Sequence, residues 1–193
     1  LVQEGAIFQT DSDSEVIIHL IARSRRETIE GQIDDALTYL EGAFSLIISV
    51  GDALFAVRDP RGFRPLVLGR KEGGFVVASE TCALDIIGAE HIRDVYSGEV
   101  LKIQGGEMTP LRNLQPAFQQ APCIFELVYF ARPDSRLWGV SVDGARRAAA
   151  RRAGPDRPRG PDGGAGLRPG RADRRGREAI RRGGRPRVPD PRG

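Results

Sequence analysis

Apolar residues recur at helical spacing in the first forty positions and at strand spacing after them. In SDSEVIIHLIARS, Val16, Ile17, Leu20 and Ile21 share one helical face, and Ser12 and Glu15 have capping-box spacing. This predicts a helix opening at Ser12. TIEGQIDDALTYLEG predicts a second, with Ile29, Ile33, Leu37 and Leu40 on one face and Gly42 placed to end it. The period then shortens. AFSLIISV, ALFAVRD, PLVLGR and GFVVASE are apolar or alternating runs separated by Gly-Asp, Pro-Arg-Gly and Lys-Glu-Gly-Gly. Such short gaps allow hairpins but no helical crossover, so the strands should pair antiparallel. TCALDIIGAE reads as a short helix capped by Ser79 or Thr81, and GEVLKIQ as a strand. LRNLQPAFQQAP reads as a loop, and CIFELVYFAR as a last strong strand. Helices in a run beside antiparallel strands predict an α+β layered fold.

Charge divides the chain. From Gly144 to Gly193 there are sixteen Arg against five Asp and Glu, a net of +11. From Leu1 to Asp143 there are thirteen Lys and Arg against twenty-one Asp and Glu, a net of −8, and together they give the overall +3. The body is acidic, and the basic balance belongs to the tail. Two cysteines, Cys82 and Cys123, make no disulfide framework and suit a reducing, cytoplasmic setting. No run reaches the roughly twenty apolar residues of a membrane span, and the first ten residues do not read as a signal peptide. The chain opens on Leu1, which places the expected true start upstream.

The last fifty residues hold only three large apolar side chains, Leu167, Ile180 and Val188, and no Ser, Thr, Lys, Asn, Gln or aromatic residue. Residues 148–193 are therefore expected to be a disordered Arg/Gly/Pro-rich tail, since so little apolar surface cannot offset the entropy of ordering. An Arg-rich arm can hold nucleic acid through phosphate charge. This one lacks aromatics for stacking and a regular repeat, which disfavours that role. Arg, Gly, Pro and Ala share GC-rich codons, so an out-of-frame reading beginning shortly after GVSVDGARRA accounts for the composition.

Three stretches are more specific than generic strands and turns: SDSEVIIHLI, RDPRGFRPLVLG followed by VVASETCALDIIGAE, and CIFELVYFARPDS. In this order they resemble the amidophosphoribosyltransferases, over about residues 5–147. A glutamine amidotransferase of the glucosamine-phosphate synthase type shares the DSEVIIHLI-like stretch, but not RDPRGFRPL or the FARPDS ending. The resemblance implies an N-terminal-nucleophile hydrolase fold, an αββα sandwich present here in part. It implies glutamine and phosphoribosyl pyrophosphate as substrates of a pentosyltransferase in purine synthesis, and a homo-oligomeric intact enzyme. Expected boundaries are 1–122 for part of a class II glutamine amidotransferase domain, 123–147 for the start of a phosphoribosyltransferase domain, and 148–193 for the tail.

The family's nucleophile is a cysteine at the mature N-terminus, whose own α-amine, with a pKa of about 8, can act as base. Cys82 and Cys123 are internal, so the nucleophile is expected upstream and this chain alone is expected to be inactive. Asp13 matches the aspartate that takes the α-amino group of glutamine, a suitable partner for an ammonium. It also suits a dipole contact or cap in the first helical turn. Arg58, Asp59, Arg61 and Arg64 read either as a binding cluster or as a turn held by Arg58 pairing with Asp59. Ser79, Glu80 and Thr81 read as strand end and helix cap. Cys82 reads as core. Cys123 reads as strand-start packing, or, by the resemblance, as one ligand of a 4Fe–4S cluster whose other three thiolates lie elsewhere. Cluster and magnesium belong to the intact enzyme, and neither is expected on this chain. His19 and His91 lack metal-ligand spacing, with His91 placed just past a helix end.

Overall fold

A computed structural model of the chain describes residues 1–114 and 119–153. After a short 3₁₀ turn at Val2–Glu4 come helices α1, Asp13–Arg23, and α2, Ile29–Leu37. Strands β1 (Ser45–Val50), β2 (Ala53–Arg58), β6 (Glu99–Gln104) and β7 (Glu107–Asn113) form one antiparallel sheet in the order β1-β2-β6-β7. Strands β3 (Val67–Lys71), β4 (Gly74–Ala78) and β5 (Glu90–Asp94) form a second, in the order β4-β3-β5. Helix α3, Thr81–Ile87, links β4 to β5.

The alternation along β2 explains the layering. Phe55 and Val57 point toward α1 and α2, where Ile21, Ile29, Ile33 and Leu37 meet them. Ala56 points the other way, into a cluster with Leu66, Val95 and Leu101 that seals the two sheets together. In β4, Val77 joins that inter-sheet cluster, while Val76 and Ala78 face Leu84 of α3. The order of layers is helices, sheet, sheet, helix: an α+β sandwich of the αββα kind. Strand β2 is covered on both faces, so it is apolar at almost every position instead of alternating. Gly69 in β3 is the close approach beneath α3. A Cβ there would meet Leu84 Cδ2 at 2.9 Å and the Glu90 carbonyl at 3.0 Å.

Several elements differ from the sequence expectation. CIFELVYFAR is not a strand. It holds a π-helical turn, Glu126–Phe130, closed by Ala131 N–H donating to the Glu126 carbonyl at 3.0 Å. A short apolar run fits either helix or strand, and here the contacts of Glu126 and Cys123 decide it. Strand β5 was hidden by charge, since EHIRD has one apolar residue. Part of the expected loop at 111–122 belongs to β7, an edge strand that tolerates Pro110 beside a shift in register. Helix α2 stops at Leu37, five residues before Gly42. Strands β8 (Arg136–Leu137) and β9 (Val140–Ser141) form a tight hairpin whose two loop residues, Trp138 and Gly139, both have positive φ.

Helix α4, Val142–Ala153, runs six residues into the segment expected to be disordered from 148. Alanine and arginine are strong helix formers. Asp143 pairs with Arg147 at 2.8 Å, and Arg146 donates to the carbonyls of Leu127 and Ala131. The expectations of a disordered tail, a nucleic-acid arm and an out-of-frame reading otherwise concern residues 154–193, outside the described residues.

Candidate functional site

The loop before α1 is gathered by one carboxylate. Glu15 accepts from Gln9 N–H and Thr10 N–H, both at 2.8 Å, and from the Thr10 hydroxyl at 2.6 Å. These bonds, the Thr10 hydroxyl foremost, hold the Glu15 carboxyl down at about 2. Glu15 thus reaches past Ser12, and the reciprocal capping box does not form: Ser12 is the N-cap residue, but its side chain makes no capping bond. His19 completes the knot, 3.6 Å from Glu15 and edge-on to the Phe8 ring.

This knot places Asp13 at the first position of α1, exposed, with no hydrogen bond or ion pair among the described residues. Its carboxylate sits near the helix N-terminus and borders a cleft of about 460 Å³ shared with Ile17, Tyr39, Glu41, Phe44 and Ser45. Such a group can receive a cation or an ammonium without first breaking a bond inside the protein.

The RDPRGFRP turn is built on backbone bonds. Arg58 does not pair with Asp59. Its guanidinium donates to the carbonyls of Gly62 and Arg64 at 3.0 Å and of Val95 at 2.6 Å. Burial lowers its pKa, opposed by Asp94 and Asp59. Asp59, fully buried, accepts from Arg61 N–H at 2.9 Å and Phe63 N–H at 3.0 Å. Gly62, at φ +62°, lies so close to Ser97 that a Cβ would sit 2.2 Å from its hydroxyl. Neither Arg58 nor Asp59 is free to meet a ligand. Arg64 points the other way, to Glu126 at 2.6 Å.

Glu80, the residue before α3, likewise serves a distant segment. One carboxylate oxygen accepts from the Ser135 hydroxyl and from Arg132 N–H, both at 2.8 Å. Thr81 Oγ1 accepts from Arg136 N–H at 2.9 Å. Cys82 is buried as expected, with its thiol 3.7 Å from Glu80. Cys123 is half-buried, its N–H on the Phe63 carbonyl at 3.0 Å. The described residues contain no group of three or more His, Cys, Asp or Glu fit to hold a metal. A 4Fe–4S cluster takes four thiolates and the chain has two cysteines, so its own residues do not make up that ligand set. His91 lies in β5, not behind a helix end, 3.6 Å from Asp94.

A profile of the glutamine amidotransferase domain matches residues 1–85. The Arabidopsis thaliana protein named chloroplastic amidophosphoribosyltransferase 1 is 49% identical over 143 residues, which cover 74% of this chain and 25% of that protein. The chain belongs to the amidophosphoribosyltransferase family. An amidophosphoribosyltransferase of Staphylococcus epidermidis is 41% identical over 159 residues, 82% of this chain and 32% of its own length. The glutamine phosphoribosylpyrophosphate amidotransferase of B. subtilis, solved with ADP and GMP, superposes with a TM-score of 0.68 at 40% identity, covering 73% of this chain and 31% of that one. The fold is therefore that of the N-terminal-nucleophile hydrolase part of amidophosphoribosyltransferases. The chain spans about a quarter to a third of the length of these relatives. Among the described residues no helix is long and apolar enough to cross a membrane.

The Glu15 knot, the Arg64–Glu126 pair and the Glu80–Ser135 contact were not foreseen. The one available signal was the density of polar residues inside stretches that otherwise read as strand ends and turns.

Proposed function

We propose that this chain is part of an enzyme that hydrolyses glutamine and passes the ammonia to phosphoribosyl pyrophosphate. The products are glutamate, 5-phosphoribosylamine and pyrophosphate, the committed step of purine synthesis. Residues 1–122 contribute the later part of the glutaminase domain, and 123–147 open the transferase domain. The observation that carries the reading is Asp13: an unengaged carboxylate, fixed on a helix end by the Glu15 knot, beside a cleft, in a chain with 41–49% identity to these enzymes. Asp13 takes the α-ammonium of glutamine by a charge-assisted bond, and the rest of the pocket comes from outside this chain.

The intact enzyme works in the cytoplasm as a homo-oligomer and uses magnesium at its pyrophosphate site. Cys123 offers one thiolate to a 4Fe–4S cluster, with its partners supplied elsewhere in the full-length protein. Cys82 and Cys123 are both internal and neither carries an α-amine to serve as base, so the 193-residue chain purified alone should hydrolyse no glutamine above background.

The test uses the full-length protein that carries this segment, assayed for pyrophosphate release with glutamine and, separately, with ammonium chloride. Asp13→Asn should raise the KM for glutamine about tenfold or more, the worth of one charged hydrogen bond. Ammonia-driven release should not change. Equal loss in both assays, or no glutamine-driven release by the wild type, overturns the proposal.

A further inference from the structure

Two carboxylate contacts join segments more than fifty residues apart in sequence, and both end on residues 121–136. The first is Arg64 with Glu126, at 2.6 Å. The Glu126 side chain is 8% exposed, and the Arg64 guanidinium also lies 4.8 Å above the Phe130 ring. Alongside it, the carbonyls of Arg61 and Phe63 accept from Ala121 N–H at 2.9 Å and Cys123 N–H at 3.0 Å. The second is Glu80 with the Ser135 hydroxyl and Arg132 N–H, flanked by Thr81 with Arg136 N–H. Ser135 is fully buried.

Between the two contacts lies the π-helical turn. The turn and the two residues before it show solvent an apolar face: Ile124, Phe125, Val128, Tyr129 and Phe130 are all more than half exposed. A patch of this kind marks an interaction surface. Relatives three to four times longer than the matched segment supply its occupant, the remainder of the full-length polypeptide.

We propose that Glu80 and the Arg64–Glu126 pair are positioning residues. They fix the angle at which residues 121–136, where the transferase domain opens, present this apolar face to the rest of that domain, and so keep ammonia release and ammonia use in register. The proposal rests on the functional reading above. Glu126 is buried while Arg64 is partly exposed, and an ion pair of this kind adds little net stability but fixes the geometry between the two segments it joins. A single π turn, wider than an α turn, is often found where a helix serves a site. Neither carboxylate contact involves Asp13, and Arg64 meets its cleft only through the backbone carbonyl that accepts from the Ser45 hydroxyl at 3.3 Å, so side-chain changes at Glu80 and Glu126 should leave glutamine binding alone.

The experiment compares two rates in the full-length protein: glutamate formed, and pyrophosphate released in the same reaction. Wild type should give close to one pyrophosphate per glutamate. Glu126→Gln and Glu80→Gln keep side-chain shape while removing charge. Each should lower that ratio at least threefold, and the pair of changes should lower it further. Glutamine hydrolysis and ammonia-driven pyrophosphate release should each stay within twofold of wild type. Arg64→Lys, which keeps the charge, should hold the ratio nearer to wild type than Arg64→Ala. An unchanged ratio in both single variants overturns the proposal, as does a parallel fall in the two half-reactions, which marks a merely structural role. A wild type with neither half-reaction overturns the functional reading, and this proposal with it.

Discussion

Single residues do the organising in this molecule, and most of them are polar. Glu15 ties three donors of one loop, and its carboxyl is held near 2 against an ordinary value of 4.5. A depressed carboxyl adds stability above its unfolded value, and that contribution is lost as pH falls from about 4.5 through about 2. An NMR titration of the Glu15 side chain should find the low midpoint. Glu15→Gln should flatten the acid limb of the stability curve in that window, and a midpoint near 4.5 would remove Glu15 as the knot. Gly62 is a second fixed point. Gly62→Ala forces a Cβ into Ser97 at a positive φ and should cost about 2 kcal/mol or more in denaturant unfolding. Cys123 should react with a thiol reagent much faster than buried Cys82 in the native protein, and both should react alike once unfolded.

At the scale of elements, legibility followed the hydrophobic period. β1 through β4, β6, and helices α1, α2 and α3 showed in the sequence because each buries a face on a defined neighbour. Val76, Val77 and Ala78, for example, divide between α3 and the other sheet. β5 did not show, because an exposed edge strand can be almost wholly charged. The turn at Glu126–Phe130 was misread for the opposite reason. Its apolar residues face outward, so their spacing does not report burial against a neighbour among the described residues. Of the candidate site, Asp13 was legible from its motif and its helix position. The knot that presents it was not, because Glu15 bonds backward to Gln9 and Thr10 in place of the Ser12 cap that its spacing favours. Two core predictions belong to this scale. Phe55→Ala empties the space between β2 and the helices and should cost about 3–5 kcal/mol. Gly69→Ala overfills the space beneath Leu84 and should cost about 1–3 kcal/mol.

For the whole molecule, the four layers explain why a segment that matches only a quarter to a third of its relatives' length still forms a recognisable core. The inter-sheet cluster of Ala56, Leu66, Val95 and Leu101 lies entirely within residues 1–114. The tail is a separate matter, tested on the gene. If residues 148–193 are read out of frame, a one-base change shortly after the codons for GVSVDGARRA should open a frame that continues the family pattern. No such frame means that the segment is native to the protein.

Strand β1 closes one side of the four-stranded sheet, and among the described residues nothing pairs with its outer rim. Ile47 and Val50 on that strand are well exposed, at 49% and 39%. A free rim of this composition accepts any extended peptide of similar character, including another copy of itself. Expressed without the rest of its protein, the polypeptide should therefore collect in inclusion bodies and refold poorly at high concentration, and a lysine in place of Ile47 should keep more of it in the supernatant.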